Sequence, residues 1–273
     1  MEKEFFSKMV IDFHTHAFPD AIANRAVEGL VKACNCLYEP CHHGKLSELI
    51  DNMDKFGVDM SVVLPVVTKP SQTKTVNEWA KEITDGRIIS LGGIYPDIST
   101  YKQDIDLVCS LGLRGIKLHP EYQSFTVDTP DMLKIYDYAL SKGLMLLFHA
   151  GFDPAYKPPY HSSPKQFANI VDSLRGGTII AAHLGSARMW DDVEKYLVGK
   201  DIYLDTSMGF EYYPHDQFLR IVKNHGADKI LFGSDSPWSR ADEEIAALKT
   251  LPLTDAEKNL ILGENAKRLL GVK

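Results

Sequence analysis

Five side chains able to hold a divalent cation sit in one kind of place along this chain, just beyond a short apolar run. His14 and His16 follow the run 9–13. His149 ends Leu144-Met-Leu-Leu-Phe-His149, and His183 ends Thr178-Ile-Ile-Ala-Ala-His183. Asp235 stands in Leu231-Phe-Gly-Ser-Asp235-Ser-Pro-Trp238. Residues i and i+2 of a strand point the same way, so His14 and His16 share a face. Imidazole and carboxylate together form a donor set for zinc and related ions. Such an ion brings water near neutral pKa and polarises a carbonyl. A lone histidine is ordinary on a surface or in a core, and His-X-His arises by chance. The joint placement of four of the ten histidines is what points to a site. His42, His43, His215 and His225 fall in loops or helices and read as ordinary.

A further run, Gly115-Ile-Lys117-Leu-His119-Pro, puts Lys117 and His119 on one face by the same alternation. A lysine turned into an apolar interior is costly unless it is paired or chemically altered. Lys117 therefore reads in two ways: an ammonium that pairs with Asp235 or a substrate carboxylate, or a chemically altered side chain. His119 reads as a substrate contact or as core. The loops beyond these runs supply further pocket candidates: Tyr122 and Gln123; Phe152, Tyr156 and His161; Arg188; Trp238 and Arg240. Arg188 and Arg240 suit bidentate capture of an anion, although exposed charge is the default for either. The expected substrate-binding set is His119, Tyr122, Tyr156, Arg188 and Trp238.

The elements that must bring these residues together are readable as eight apolar runs: 9–13, 60–66, 88–94, 115–118, 144–148, 178–182, 202–204 and 230–232. Helical periodicity fills the stretches between them, most repeats recurring at roughly thirty residues, as a βα unit requires. Strands alternating with helices imply a parallel sheet covered by helices, and eight units fit a closed (β/α)₈ TIM barrel. In that fold active sites form at the C-terminal ends of the strands, where all five residues lie. Helix starts are expected at Thr129-Pro130 and Ser163-Pro164, with a capping box at Thr254–Glu257. Met132, Ile135, Tyr136 and Ala139 form one stripe of a helix that Gly143 ends. The first connection is the longest. Its second half, 47–56, reads as the expected helix, and its first half as a short insertion at the barrel mouth. Residues 1–273 read as one α/β barrel domain.

A formal charge of −7 lacks the clustered cations that a nucleic-acid partner needs. No apolar run is long enough to span a membrane, and the charged N-terminus has no signal-peptide core. The expectation is a cytoplasmic enzyme acting on a small-molecule substrate, with a homodimer as the default assembly. Cys34, Cys36 and Cys41 cluster beside His42 and His43, but their spacing fits no usual zinc pattern. They read as a loop of reduced thiols.

The order His-X-His, His, His, Asp at strands one, five, six and eight resembles the amidohydrolase superfamily. Asp12-Phe-His14-Thr-His16, Ala182-His183-Leu-Gly185, Gly233-Ser-Asp235-Ser-Pro-Trp238 and the closing Gly263-Glu-Asn-Ala-Lys-Arg-Leu-Leu270 are similar to its amidohydrolase-related branch. The resemblance covers nearly the whole chain. It implies a distorted TIM barrel with His14, His16, His149 and His183 around the metal and Asp235 as ligand and proton acceptor. Branch members hydrolyse amides, esters and lactones, and some are decarboxylases. Lys117 resembles the lysine of binuclear members such as dihydroorotases, where it is carbamylated and bridges two metals. The expectation is thus a metal-dependent hydrolase with Asp235 and Lys117 catalytic, holding one or two divalent ions. Zinc is preferred, while iron, manganese, cobalt and nickel also suit imidazole. A decarboxylase on the same scaffold is the rival; metal binding without catalysis is a third reading.

Overall fold

In the computed structural model, residues 9–272 are described. The charged stretch 1–8, on which the signal-peptide expectation rests, lies outside the described residues. Eight parallel strand positions follow one another in chain order: β1 (Ile11–Thr15), β2 (Met60–Val63), β3 in two pieces (Ile88–Ser90 and Gly92–Gly93), β4 (Gly115–Leu118), β5 (Met145–Phe148), β6 (Ile179–Ala181), β7 (Tyr203–Asp205) and β8 (Ile230–Leu231). Each pairs in parallel with the next; the first piece of β3 lies on β2 and the second on β4. The ends also meet. Phe13 N–H donates to Phe232 O (2.8 Å) and Asp235 N–H to His14 O (2.8 Å), and a parallel bridge joins Thr15 to Ser236. The last strand is thereby tied to the first around a TIM barrel.

Alternation along the strands sorts their side chains into two buried clusters. One contains Ile11, Phe13, Val62, Leu64, Met145, Leu147, Ile180, Ala182 and Leu231, together with Ala266 and Leu270 of the last helix, Asn265–Leu270. The other places Ile116, Leu118, Leu146 and Phe148 under the surrounding helices. Strands buried on both faces explain why the runs read as continuously apolar. Gly263 lets the chain before the last helix press against the start of β1, since a Cβ there would lie 1.9 Å from Met9 O.

Several boundaries differ from the expectation. β1 runs through Thr15 rather than stopping at 13, so His14 is inside the strand. β2 ends at Val63 and β8 at Leu231, short of the expected 66 and 232. The helix expected at 47–56 spans Leu46–Phe56. The insertion before it carries an unforeseen helix, Ala23–Ala33, which buries Ala23 and Val27 and turns Arg25, Ala26, Gly29 and Leu30 toward a cavity. Thr254 caps the N–H of Glu257 as expected (3.3 Å). Thr129 opens the helix Pro130–Ser141 without a side-chain cap. Among the described residues no helix is long and apolar enough to cross a membrane.

Candidate metal centre

The ligand residues are aimed by breaks in regular strand geometry. The β1–β2 register slips by one residue between Asp12 and Thr15, a bulge that re-aims His14 after the inward Phe13. His183, Leu184 and Asp235 adopt left-handed backbone conformations (φ 58°, 54° and 68°), which non-glycine residues rarely accept. Neighbours hold them there. Leu184 N–H donates to Asp205 O (2.6 Å), the Trp190 indole N–H to His183 O (3.1 Å), and Trp238 N–H to Asp235 O (2.8 Å).

Each of three histidines uses Nδ1 against an oxygen at its back. His14 Nδ1–H donates to Asp205 Oδ2 (2.8 Å), His16 Nδ1–H to Leu64 O (3.1 Å), and His183 Nδ1 lies 3.2 Å from Ser207 O. The Nε2 atoms therefore carry their lone pairs inward. There the Asp235 Oδ1 lies 3.3 Å from His14 Nε2 and 3.1 Å from His16 Nε2. Burial lowers the His14 pKa to about 4, helped by the Lys117 charge, so its imidazole is neutral. Burial alone would raise the Asp235 carboxyl; positive charge at His14 and a hydrogen bond from His16 hold it well below the usual carboxylate range, a role that a cation among these atoms fills when the His14 imidazole is neutral.

An imidazole lone pair facing a carboxylate oxygen is repelled by it unless a proton or a cation lies between them. A tetrahedral zinc with ligands at about 2.0 Å has ligand edges near 3.3 Å, which is the spacing seen here. Back-side acceptors on ring nitrogens are also the usual support of metal-bound histidine. His14, His183 and Asp235 place ligand atoms within 4.8 Å of one another. The donor set fits a divalent ion.

Lys117 is fully buried with Nζ 3.2 Å from His14 Nε2. Burial lowers its pKa to about 8, against the pull of Asp205 and Asp235. His149 is drawn off to one side. Its Nδ1 meets His183 Nε2 at 3.0 Å, its Nε2 is buried without a partner, and its ring stacks on His119 at 4.1 Å. His119 in turn stacks on Tyr122 at 3.7 Å and meets Asp153 Oδ2 at 3.4 Å.

Above these residues opens a cavity of about 710 Å³, within the range of small-molecule sites. Lys117, His119, Tyr122, Phe152, Arg188 and Trp238 line it, as expected. The Arg188 guanidinium lies over the Phe152 ring at 4.2 Å. Tyr156 does not line the cavity; it packs beside Tyr122 with ring centroids 5.7 Å apart. Gln123 instead braces the backbone at Val67 and Ile94, His161 pairs with Glu121, and Arg240 pairs with Asp242. His42 bonds Ser236 Oγ (2.9 Å), and His225 bonds Ile202 O (2.8 Å), as ordinary structural histidines do. The cysteines are free thiols, and no cysteine joins a metal-holding group among the described residues.

Two acidic residues escaped the sequence reading. Asp205 ends β7 and gathers the His14 ring, the His183 N–H (3.0 Å) and Ser207, through both its N–H (3.1 Å) and its hydroxyl. Its signal was present in Tyr203-Leu-Asp205, a polar residue at a strand end. Asp153, four residues beyond His149, carries no such signal because loop shape alone turns it inward. Arg25, Trp79 and Trp190 also line the cavity unforeseen.

The sequence model of the amidohydrolase family matches residues 11–272. No curated protein sequence matches the chain. Among solved structures, a TIM-barrel protein from Bordetella bronchiseptica superposes with TM-score 0.78 at 18% identity, covering 96% of this chain and 98% of that one. 5-Carboxyvanillate decarboxylase from Sphingomonas paucimobilis gives 0.73 at 15% identity, covering 98% and 100%. A probable 2-pyrone-4,6-dicarboxylic acid hydrolase from Acinetobacter baumannii, with citric acid bound, gives 0.65 at 18% identity, covering 96% and 99%. Identities this low speak for the shared barrel. With the family match spanning nearly its full length, the chain belongs to the amidohydrolase family.

Proposed function

We propose that this chain is a metal-dependent hydrolase cleaving a C–N or C–O bond (amide, ester or lactone) of a small molecule. His14, His16, His183 and Asp235 would hold a divalent ion, with zinc the first choice for this donor set. Once bound, the ion supplies Lewis-acid polarisation of a carbonyl and acidification of water.

The observation that carries the reading is Asp235. Its carboxylate stands between two imidazole Nε2 atoms at the foot of the cavity, a proton acceptor with no proton of its own. Hydrolysis needs such an acceptor for the proton of attacking water, and the same group then returns it to the leaving atom. Asp205 and the Leu64 carbonyl fix which ring nitrogens face inward, so the imidazoles serve without rearrangement. Lys117, beside His14, places an amine against the reacting region; as an ammonium it offsets developing negative charge, and carbamylated it becomes a further ligand. His119, Tyr122, Arg188 and Trp238 bind substrate, Arg188 through an anionic group.

A second reading, non-oxidative decarboxylation, is favoured by one observation: the 5-carboxyvanillate decarboxylase shares this barrel over nearly the full length of both chains. Screening the zinc-loaded protein against amides, esters, lactones and aromatic or enoic acids separates the two. Product fragments or opened rings without carbon dioxide are expected; carbon dioxide release as the sole turnover would replace hydrolysis by the second reading. The reading extends to one barrel domain over residues 1–273 in the cytoplasm, a homodimer being the default assembly.

A further inference from the structure

The cavity does not stop at the metal centre. From the floor of His14, His183 and Asp235 it extends to two helices that follow β1 and β2, Ala23–Ala33 and Thr73–Ile83. Each helix gives it one face. Ala26, Gly29 and Leu30 line it from the first, with Ile22 just before them. Val76 and Trp79 line it from the second, beside Thr75. From Ile22 to Leu30 the wall runs for about 12 Å at 1.5 Å per residue, long enough for an extended chain of about eight carbons.

This arm is sorted by polarity. Ala26, Leu30, Val76 and Trp79 are half-buried, whereas Arg25, Thr68, Ser71 and Thr75 are exposed. Polar groups and the exposed Ile22 thus form the rim, and apolar groups line the interior. Gln72, also half-buried, is engaged within its own turn. Its carboxamide oxygen accepts from the Thr68 hydroxyl (3.0 Å) and from the Thr68 and Lys69 N–H groups (3.0 and 3.1 Å). Arg25 is the one charged side chain that either helix turns to the cavity among the described residues. An arm so built offers little to an ionic or hydrogen-bonding group; it favours apolar surface, which leaves water to fill it. Gly29 keeps it wide, since a Cβ there would meet nothing within 4 Å.

We propose that the substrate carries an extended apolar group, an alkyl or aryl tail of about six to eight carbons, that lies in this arm while the scissile bond reaches the floor. The inference rests on the hydrolase reading above and narrows it to hydrophobic amides and esters. The arm and the metal centre share one cavity, so a single molecule occupies both. Each methylene buried there tightens binding about threefold to fourfold.

Straight-chain hydroxamates from acetyl to octanoyl test the proposal, because the head binds a divalent metal and the tail reports on the arm. Trp79, Trp190 and Trp238, the chain's three tryptophans, all line the cavity, so intrinsic fluorescence follows occupancy without turnover. In the zinc-loaded protein, octanohydroxamate should bind at least 10²-fold more tightly than acetohydroxamate. Gly29→Leu and the larger Gly29→Phe put a side chain into the arm, and replacing a glycine inside a helix favours the helix. Each should cut that ratio at least tenfold. A ratio near one in wild type, or an undiminished ratio in both variants, overturns the arm. Failure of the metal reading has a different signature: zinc would leave every affinity unchanged while the chain-length dependence persisted.

Discussion

At the scale of single residues the account turns on which atom of each side chain faces inward. Asp235→Asn keeps shape and one ligand oxygen but removes the proton acceptor. Turnover is expected to fall by roughly 10³-fold, within the span of general-base contributions, while bound zinc is retained. Steady-state kinetics alongside metal analysis checks this, and near-normal turnover would refute the role. Asp205 acts through His14 rather than on substrate. Asp205→Asn should weaken zinc binding about 10- to 100-fold, as loss of a back-side acceptor commonly does, measured by chelator competition. Unchanged affinity would make Asp205 merely structural. His14, His16, His183 and Asp235 were legible in the sequence because strand alternation and strand ends constrain them. His149 was also legible, but its rotation toward His119 was not, since that depends on ring packing between β4 and β5. Asp205 carries the same strand-end signal, but a single polar residue closing a strand is also an ordinary strand end, so its position alone does not mark it.

At the scale of elements the strands were the readable part and their ends were not. The β1 bulge and the left-handed turns at His183 and Asp235 are local departures from regular geometry, and these departures aim the ligands. Periodicity cannot register them. The insertion is fastened to the β8 loop by His42. Its Nε2–H reaches Ser236 Oγ, while its Nδ1 accepts the Gly44 N–H (3.0 Å) and Glu48 lies 3.8 Å away. Burial lowers its pKa to about 4, from an ordinary value near 6.5. The unfolded chain thus binds the proton more readily. His42 contributes fully above pH 6.5, and that contribution, up to about 3 kcal/mol, is lost as pH falls toward 4. Urea melts of wild type and His42→Gln at pH 7 and pH 4.5 should show the larger acid loss in wild type. Parallel losses in both would contradict it. Where the chain before the last helix meets β1, Gly263→Ala drives a Cβ into Met9 O. A loss of about 3 kcal/mol is expected, lowering Tm by roughly 5 °C, and an unchanged Tm would show that the contact yields freely.

At the scale of the whole molecule, eight parallel strands bring side chains from opposite ends of the sequence around one cavity floor. The barrel was legible because each βα unit repeats the same apolar run and helix. The cavity wall was not, because the helix Ala23–Ala33 turns Ala26, Gly29 and Leu30 toward open space instead of core. Under the proposed function, that wall together with Arg188 and the aromatic residues beside it would set substrate choice. The central claim is that His14, His183 and Asp235 converge on a shared cation. Anomalous diffraction at the zinc edge, from crystals of the zinc-loaded protein, tests it most directly. A strong peak among His14 Nε2, His183 Nε2 and the Asp235 carboxylate is predicted; a map with no peak there, at full zinc loading, would contradict the account.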